Sequence, residues 1–310
     1  MLCKDFCDEL CKCESDRCAK TIQTYGYSLA WLARRIDGFS KDSLPEPADV
    51  IDYMHEHKIK PRRQQCSYCA MKVLHNARGQ PDKSNEYSQA LVDVKRTIDK
   101  EYFAQERNEK QQKNWVEYSD LKREAAELRK FALSLDKFKL WTKAEYTKAQ
   151  LAFILAFHLK YPIRRELASV QYGPDIDTSK GNVLMEKARK IVFREHKVKK
   201  HHPVFEMILD RNQWRLLQLL RRQHRHRGIT SGTILLNTYW RPMTGNAFTM
   251  WMKREMGKLD SCKGKAVSCL CIRHSVITHQ RRNDSSLKNR KAFADRCMHS
   301  MNQNDMYRIH

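Results

Sequence analysis

Apolar residues recur through the first hundred positions at the three-and-four spacing of a helix face. In TIQTYGYSLAWLARRI they fall at Ile22, Tyr25, Leu29, Leu32 and Ile36, which predicts an amphipathic helix. A proline-marked break follows, and SLPEPADVIDYMHEH sets Ile51 and Met54 on one side of a second helix. Pro61 opens a third through RRQQCSYCAMKVLHNAR, closed by Gly79, because proline suits the first helical turn and glycine the position past the last. A fourth runs through YSQALVDVKRTID. From about residue 100 to 114 the chain turns to Glu, Gln, Lys, Arg and Asn, with almost nothing to bury. That stretch reads as a linker or a solvated helical extension.

The helical pattern resumes in YSDLKREAAELRKFALSL and WTKAEYTKAQLAFILAFHL, the second opened by a capping box of Thr142 and Glu145. Past Pro162 the texture changes, and NVLMEKARKIVFREHKVKKHHPVFEMIL alternates apolar and basic residues in short runs, as in a small hairpin sheet. RNQWRLLQLLRRQHRHRG returns to helix, GTILLNTYW is a short extended piece, and TGNAFTMWMKREMGKL and the remainder are helical. The expected fold is mainly α. A cysteine-rich extension (1–16) precedes an all-helical domain (17–105), a linker (106–118) and an α+β domain with a small antiparallel sheet (119–310). No internal repeat is visible.

Length and charge sharpen this picture. The 310 residues suit two domains, and 59 Lys plus Arg against 36 Asp plus Glu leave a formal charge of +23. The excess is spread along the chain, as suits a protein that wraps a polyanion such as duplex DNA; a basic RNA-binding protein would share it. RRQHRHR, Arg221 to Arg227, reads as a helix end making backbone contacts without sequence choice. Trp115, Trp141 and Trp214 sit on apolar faces and read as core.

No window holds the eighteen or more apolar residues of a membrane span, and MLCKDFCDELCKCESDRC lacks the apolar centre of a signal peptide. The expectation is an intracellular, reducing compartment, with the eleven cysteines mostly thiols. Cys3, Cys7, Cys11, Cys13 and Cys18 crowd the start, but their spacing matches no standard zinc pattern and no histidine is interleaved. Cys66 and Cys69 form a CxxC on one face of the third helix, where packing is the better reading.

The last forty residues carry the chemistry. CIRHSVITHQ holds Arg273 beside a histidine, and CMHSMNQNDMY places His299 eight residues before Tyr307. Cutting a DNA strand without a metal requires neutralising the phosphate charge, holding a nucleophile in line and protonating the departing sugar oxygen. Arginine suits the first task, since its fork grips two phosphate oxygens and keeps its charge. Tyrosine suits the second where bond energy is to be stored in a phosphotyrosine, given cationic neighbours that help it ionise.

These boxes, in this order, resemble the tyrosine recombinases, the integrase family of phages, transposons and large DNA viruses, and most of all its divergent branch. YPIRRELASV resembles the first arginine box, with Arg164 the match and Arg165 its competitor. FREHKVKKHHPVFEM resembles the hairpin that carries a lysine, with Lys197 preferred over Lys199 and Lys200. GTILLNTYWRPMTGNAFTMWMKREM resembles the segment before the second box, where Arg273 stands; MHS supplies His299, and Tyr307 the nucleophile. DVIDYMHEHKIKPRRQQCSYCAMKVL resembles the core-binding domain, so the likeness covers most of the chain.

The resemblance implies that Arg164 and Arg273 clamp the scissile phosphate, with His299 a third donor to a non-bridging oxygen. Lys197 is then the general acid for the leaving 5′-hydroxyl, and Tyr307 attacks to give a 3′-phosphotyrosine. It also implies no metal and no cofactor, double-stranded DNA as partner, a dimer or tetramer on that DNA, and a nuclear location if the host is eukaryotic. Three departures stand out. Leu270 occupies the place of a frequent histidine, Met298 replaces the usual glycine before His299, and the gap from His299 to Tyr307 is one residue short. Leu270 and the short gap motivate a second reading, a decayed recombinase that binds DNA without cutting it; a third, a type IB topoisomerase, shares the nucleophile and clamp and would relax supercoils without site preference.

Overall fold

The structure, a computed structural model, describes residues 2–13, 19–104, 106–200, 202–283 and 286–299. It divides into two compact units, 1–104 and 105–310.

The first unit is helical: α1 (Leu2–Cys13), α2 (Ala19–Leu32), α3 (Pro47–Glu56), α4 (Pro61–Ala77) and α5 (Pro81–Phe103). Proline opens α3, α4 and α5, where its missing amide costs no helical bond. Gly79 ends α4 with φ 68°, the left-handed turn that the sequence assigns to it. The cysteine-rich start is not an appendage. It forms α1, which packs on α2 and buries Phe6 and Leu10 completely beside Leu29, Leu32, Tyr68 and Leu74. The sequence conceals this because only two large apolar side chains, one turn apart, are fully buried, with Leu2, Cys3 and Cys7 packed beside them. Gly26 permits the close approach, since a Cβ there would lie 2.3 Å from the Cys7 sulfur. Burial and the neighbouring Cys3 push the Cys7 thiol up to about 11. Of the CxxC, Cys66 accepts a hydrogen bond from Ser28 at 3.3 Å, and both sulfurs are half-buried.

The second unit is built around one helix. α6 (Glu109–Lys113) and α7 (Tyr118–Ser134) lead to α8 (Lys143–Lys160), whose start carries the capping box between Thr142 and Glu145. Those bonds hold the Glu145 carboxyl below its usual range. Between Ala149 and His158 every α8 residue except Ala156 is buried. The helix therefore shows almost no polar face, and α7 and the helices Arg211–Arg225, Gly245–Met256 and Cys269–Asn283 pack around it.

The sheet follows: β1 (Gln171–Tyr172), β2 (Val183–Met185), β3 (Lys190–Phe193), β4 (Phe205–Ile208) and, after α9 (Arg211–Arg225), β5 (Gly232–Thr233). Strand order is β4-β3-β2-β1-β5. The sheet is mixed rather than wholly antiparallel, because β1 runs parallel to β2 with Gln171 opposite Val183. α10 (Gly245–Met256), α11 (Cys269–Asn283) and α12 (Leu287–Arg296) complete the unit.

Two stretches differ from their sequence reading. The expected linker at 106–118 is docked, with Trp115 and Val116 buried and the Arg107 guanidinium 3.9 Å from the Trp115 ring centre. Lys265 donates to the Trp115 carbonyl at 2.8 Å, which ties the stretch to the second unit. In RRQHRHR the basic residues divide, with Arg225 and His226 exposed and Arg221 and Arg227 engaged internally. Arg221 pairs with Glu186 at 2.5 Å, and Arg227 lies 3.7 Å from the Trp240 ring centre while donating to the Trp141 carbonyl at 2.6 Å. His224 bridges the hydroxyls of Tyr146 at 2.7 Å and Tyr172 at 2.8 Å. Burial lowers it to about 4, so this ring is a neutral structural link between α8, α9 and β1. Trp115 and Trp141 are buried and Trp214 packs partly against the core, as their apolar faces imply.

Candidate active site

Three segments meet at the far end of α8. Arg164 lies in an irregular stretch between α8 and a single 3-10 turn, Glu166–Ser169. Arg273 sits in the first half of α11 and is fully buried. His299 follows α12 and is 2 % exposed. Arg164 Nη2 approaches His299 Nε2 at 3.1 Å, and Arg273 Nη2 reaches the same nitrogen in a short contact. Two side chains 109 positions apart in sequence thus bring their guanidinium groups within two hydrogen-bond lengths of each other.

This convergence fixes the state of His299. A nitrogen that accepts from two guanidinium groups carries no proton, so the imidazole is neutral with its hydrogen on Nδ1. Burial, then the charges of Arg273, Arg164, Lys197 and His274, press the ring down to about 2. The two arginines also repel each other. Like charges roughly 5 Å apart at an effective dielectric near 20 repel by about 3 kcal/mol, which an entering anion would reverse in sign.

The placement of His299 depends on how α12 ends. Met298 adopts φ 52°, its amide returns to the Asp295 carbonyl at 3.0 Å, and the His299 amide returns to Ala294 at 3.0 Å. This is a Schellman turn, whose left-handed position favours glycine. Methionine occupies it here because its side chain, 3 % exposed, belongs to the core.

Arg165, the competing first arginine, turns away. Its Nη1 donates to Asn246 Oδ1 at 2.7 Å, and its stem lies so near Gly245 that a Cβ there would meet Arg165 Cδ at 2.8 Å. Lys197 is exposed in the turn after β3, and its charge is among those bearing on His299. Lys199 is instead paired with Glu195 at 2.7 Å. Leu270 is 47 % exposed on the first turn of α11. Tyr307 lies outside the described residues.

Two supporting residues escape the sequence reading. Asn182, 3 % exposed, accepts from the amides of Arg194 and Glu195 at 2.9 and 2.8 Å and donates to the Glu195 carbonyl at 3.0 Å, shaping the approach to Lys197. His158 is buried in the last turn of α8 with Nε2 3.2 Å from the Arg164 carbonyl. Its only signal in the sequence is a lone polar ring within LAFILAFHLK.

A helical unit, followed by a unit with a central buried helix, a hairpin sheet and two arginines from separate boxes, defines a class: this is the fold of the tyrosine recombinases. Among solved structures, that of the Tn1549 transposon integrase in complex with transposon right end DNA matches with a TM-score of 0.59 at 13 % identity, covering 100 % of this chain and 95 % of that one. The same integrase in complex with a circular intermediate DNA matches with a TM-score of 0.58 at 12 % identity and the same coverage. No family profile and no curated protein sequence matches the chain.

Proposed function

We propose that this protein is a DNA strand transferase that cuts and rejoins duplex DNA through a 3′-phosphotyrosine intermediate. The observation that carries the reading is the meeting of Arg164 and Arg273 at one nitrogen of His299. Two forked cations at that separation, Arg273 buried and Arg164 half-buried, suit the two non-bridging oxygens of a phosphodiester. The net charge of +23 and the DNA-bound integrases of the same fold support the choice of DNA.

In the reaction, the Tyr307 phenol oxygen forms a bond to phosphorus and the bond from phosphorus to the 5′-oxygen breaks. Lys197 donates its proton to that leaving oxygen. The phenol proton passes to water or to His299. Once the two guanidinium groups turn to phosphate oxygens, His299 Nε2 is released as acceptor and, protonated, becomes the third donor. Rejoining runs the same steps backwards. The active species would be a dimer or tetramer on DNA.

The test is a nicked duplex that releases a short 5′-hydroxyl fragment, incubated with protein and resolved on a denaturing gel. A 3′-linked covalent complex is expected for wild type and none for Tyr307→Phe. Duplex binding with no covalent product on any substrate would identify a DNA-binding protein of this fold without cutting activity. Relaxation of supercoils without site preference would identify a topoisomerase. Preference for single-stranded RNA would overturn the DNA reading.

A further inference from the structure

Arg164 stands on a piece of backbone that no helix or strand fixes. Residues 161–165 leave α8 through a tight turn, with the Ile163 amide bonded to the Tyr161 carbonyl at 2.7 Å. Side chains hold the rest. Arg273 Nη1 donates to the Pro162 carbonyl, and His158 Nε2 lies 3.2 Å from the carbonyl of Arg164 itself. His158 is fully buried, edge-on to Phe157 at 5.9 Å, and its Nδ1 lies 2.9 Å from the Ile154 carbonyl. Both ring nitrogens thus face carbonyl oxygens, and a neutral ring has one proton to give. The ladder of α8 already supplies the Ile154 carbonyl with the amide four residues on. Nδ1 makes the shorter contact, so the choice of Nε2 for the proton rests on the Ile154 carbonyl being already supplied.

An apolar side chain of similar size would fill this site as well as the ring does, since the surrounding core is made of such residues. What it could not do is donate to a loop carbonyl. A rigid ring at the end of a rigid helix is a short and stiff tether, and such tethers decide whether a catalytic group is placed to within a fraction of an ångström.

We propose that His158 is the positioning residue of the phosphate clamp: its Nε2–H, donated to the Arg164 carbonyl, sets the place from which the Arg164 guanidinium reaches His299 and the phosphate. This rests on the clamp reading above, and the test separates the two. The probe is inorganic phosphate, titrated into the full-length protein and followed on the ring nitrogens of ¹⁵N-labelled histidine.

In wild type, phosphate is expected to shift the His299 signals, and His158 is expected to show its proton on Nε2. In His158→Leu, phosphate affinity should fall roughly tenfold while the melting midpoint holds; the arithmetic is that of one lost hydrogen bond. His158→Gln, whose amide can reach the same carbonyl, should recover to within about threefold of wild type. In an Arg164→Ala background, His158→Leu should add nothing, because its effect runs through that arginine. Wild-type affinity in His158→Leu, additivity with Arg164→Ala, or a proton on Nδ1 overturns the inference and leaves the clamp standing. If His158→Leu melts early, the Gln variant and the tautomer decide. No response of His299 to phosphate in wild type removes the clamp reading and this inference together.

Discussion

Arg273 donates Nη1 to the carbonyl of Pro162, two residues before Arg164, while its Nη2 reaches His299. One guanidinium therefore both joins the clamp and braces the loop that carries the other arm. Arg273→Lys keeps the charge but can serve only one of these partners. We expect it to destabilise the fold by about 1–3 kcal/mol, the cost of a buried group left unpaired. Arg164→Lys, at a less buried position, should cost about 1 kcal/mol or less. Urea unfolding of both variants checks this, and equal losses would argue against the bracing role.

The two adjacent arginines should separate cleanly in the cleavage assay. Arg164→Ala removes a donor from the phosphate and should slow covalent complex formation by about 10²–10³-fold, as the loss of one transition-state donor does. Arg165→Ala breaks only its exposed bond to Asn246 and should leave the rate within about threefold. A reversed order would mean that the clamp uses the other arginine.

His299 should make the protein sensitive to acid. Its folded pKa, about 2, lies below the unfolded value near 6.5. The unfolded chain therefore binds a proton that the folded chain refuses, and stability falls as pH drops from about 6.5 toward 2. The contribution at pH 5 is on the order of 2 kcal/mol. Burial lowers His224 and His158 as well, and they act with the same sign. The diagnostic quantity is thus a difference: His299→Gln should flatten the slope of stability against pH between 6.5 and 5 relative to wild type.

Met298→Gly tests why this chain departs from the usual glycine. Relief of the left-handed backbone returns about 1–2 kcal/mol, whereas losing a buried methionine side chain costs about 2–5. A net destabilisation of about 1–3 kcal/mol is expected in thermal or urea unfolding. A more stable variant would show that the side chain contributes little.

Much of the architecture was legible because its signals are periodic or chemical. The capping box at Thr142, the proline that opens α4 and the glycine that closes it, and the alternating run that becomes β2, β3 and β4 each follow from a local rule. What failed to show was sparse or non-local. Trp115 reads as core on its own, but it and Val116 are two apolar residues in a polar stretch, so composition averaged over fifteen positions conceals that the whole stretch is docked. β1 has two residues, too few to display alternation, and its parallel pairing depends on the chain path. Arg164 and Arg165 are chemically identical neighbours, and only the turn after α8 points one inward. His158 escapes notice because a buried ring and a tether are the same letter in a sequence.

α8 finally constrains where this molecule can diversify. A helix enclosed on nearly every side through its second half has few outward residues to vary there, and its far end carries the proposed clamp. Any reading of a nucleotide sequence must fall to the segments hung around that beam, which can change freely while the chemistry stays put. A lineage built on this plan would be expected to drift at its rim and hold still along its axis.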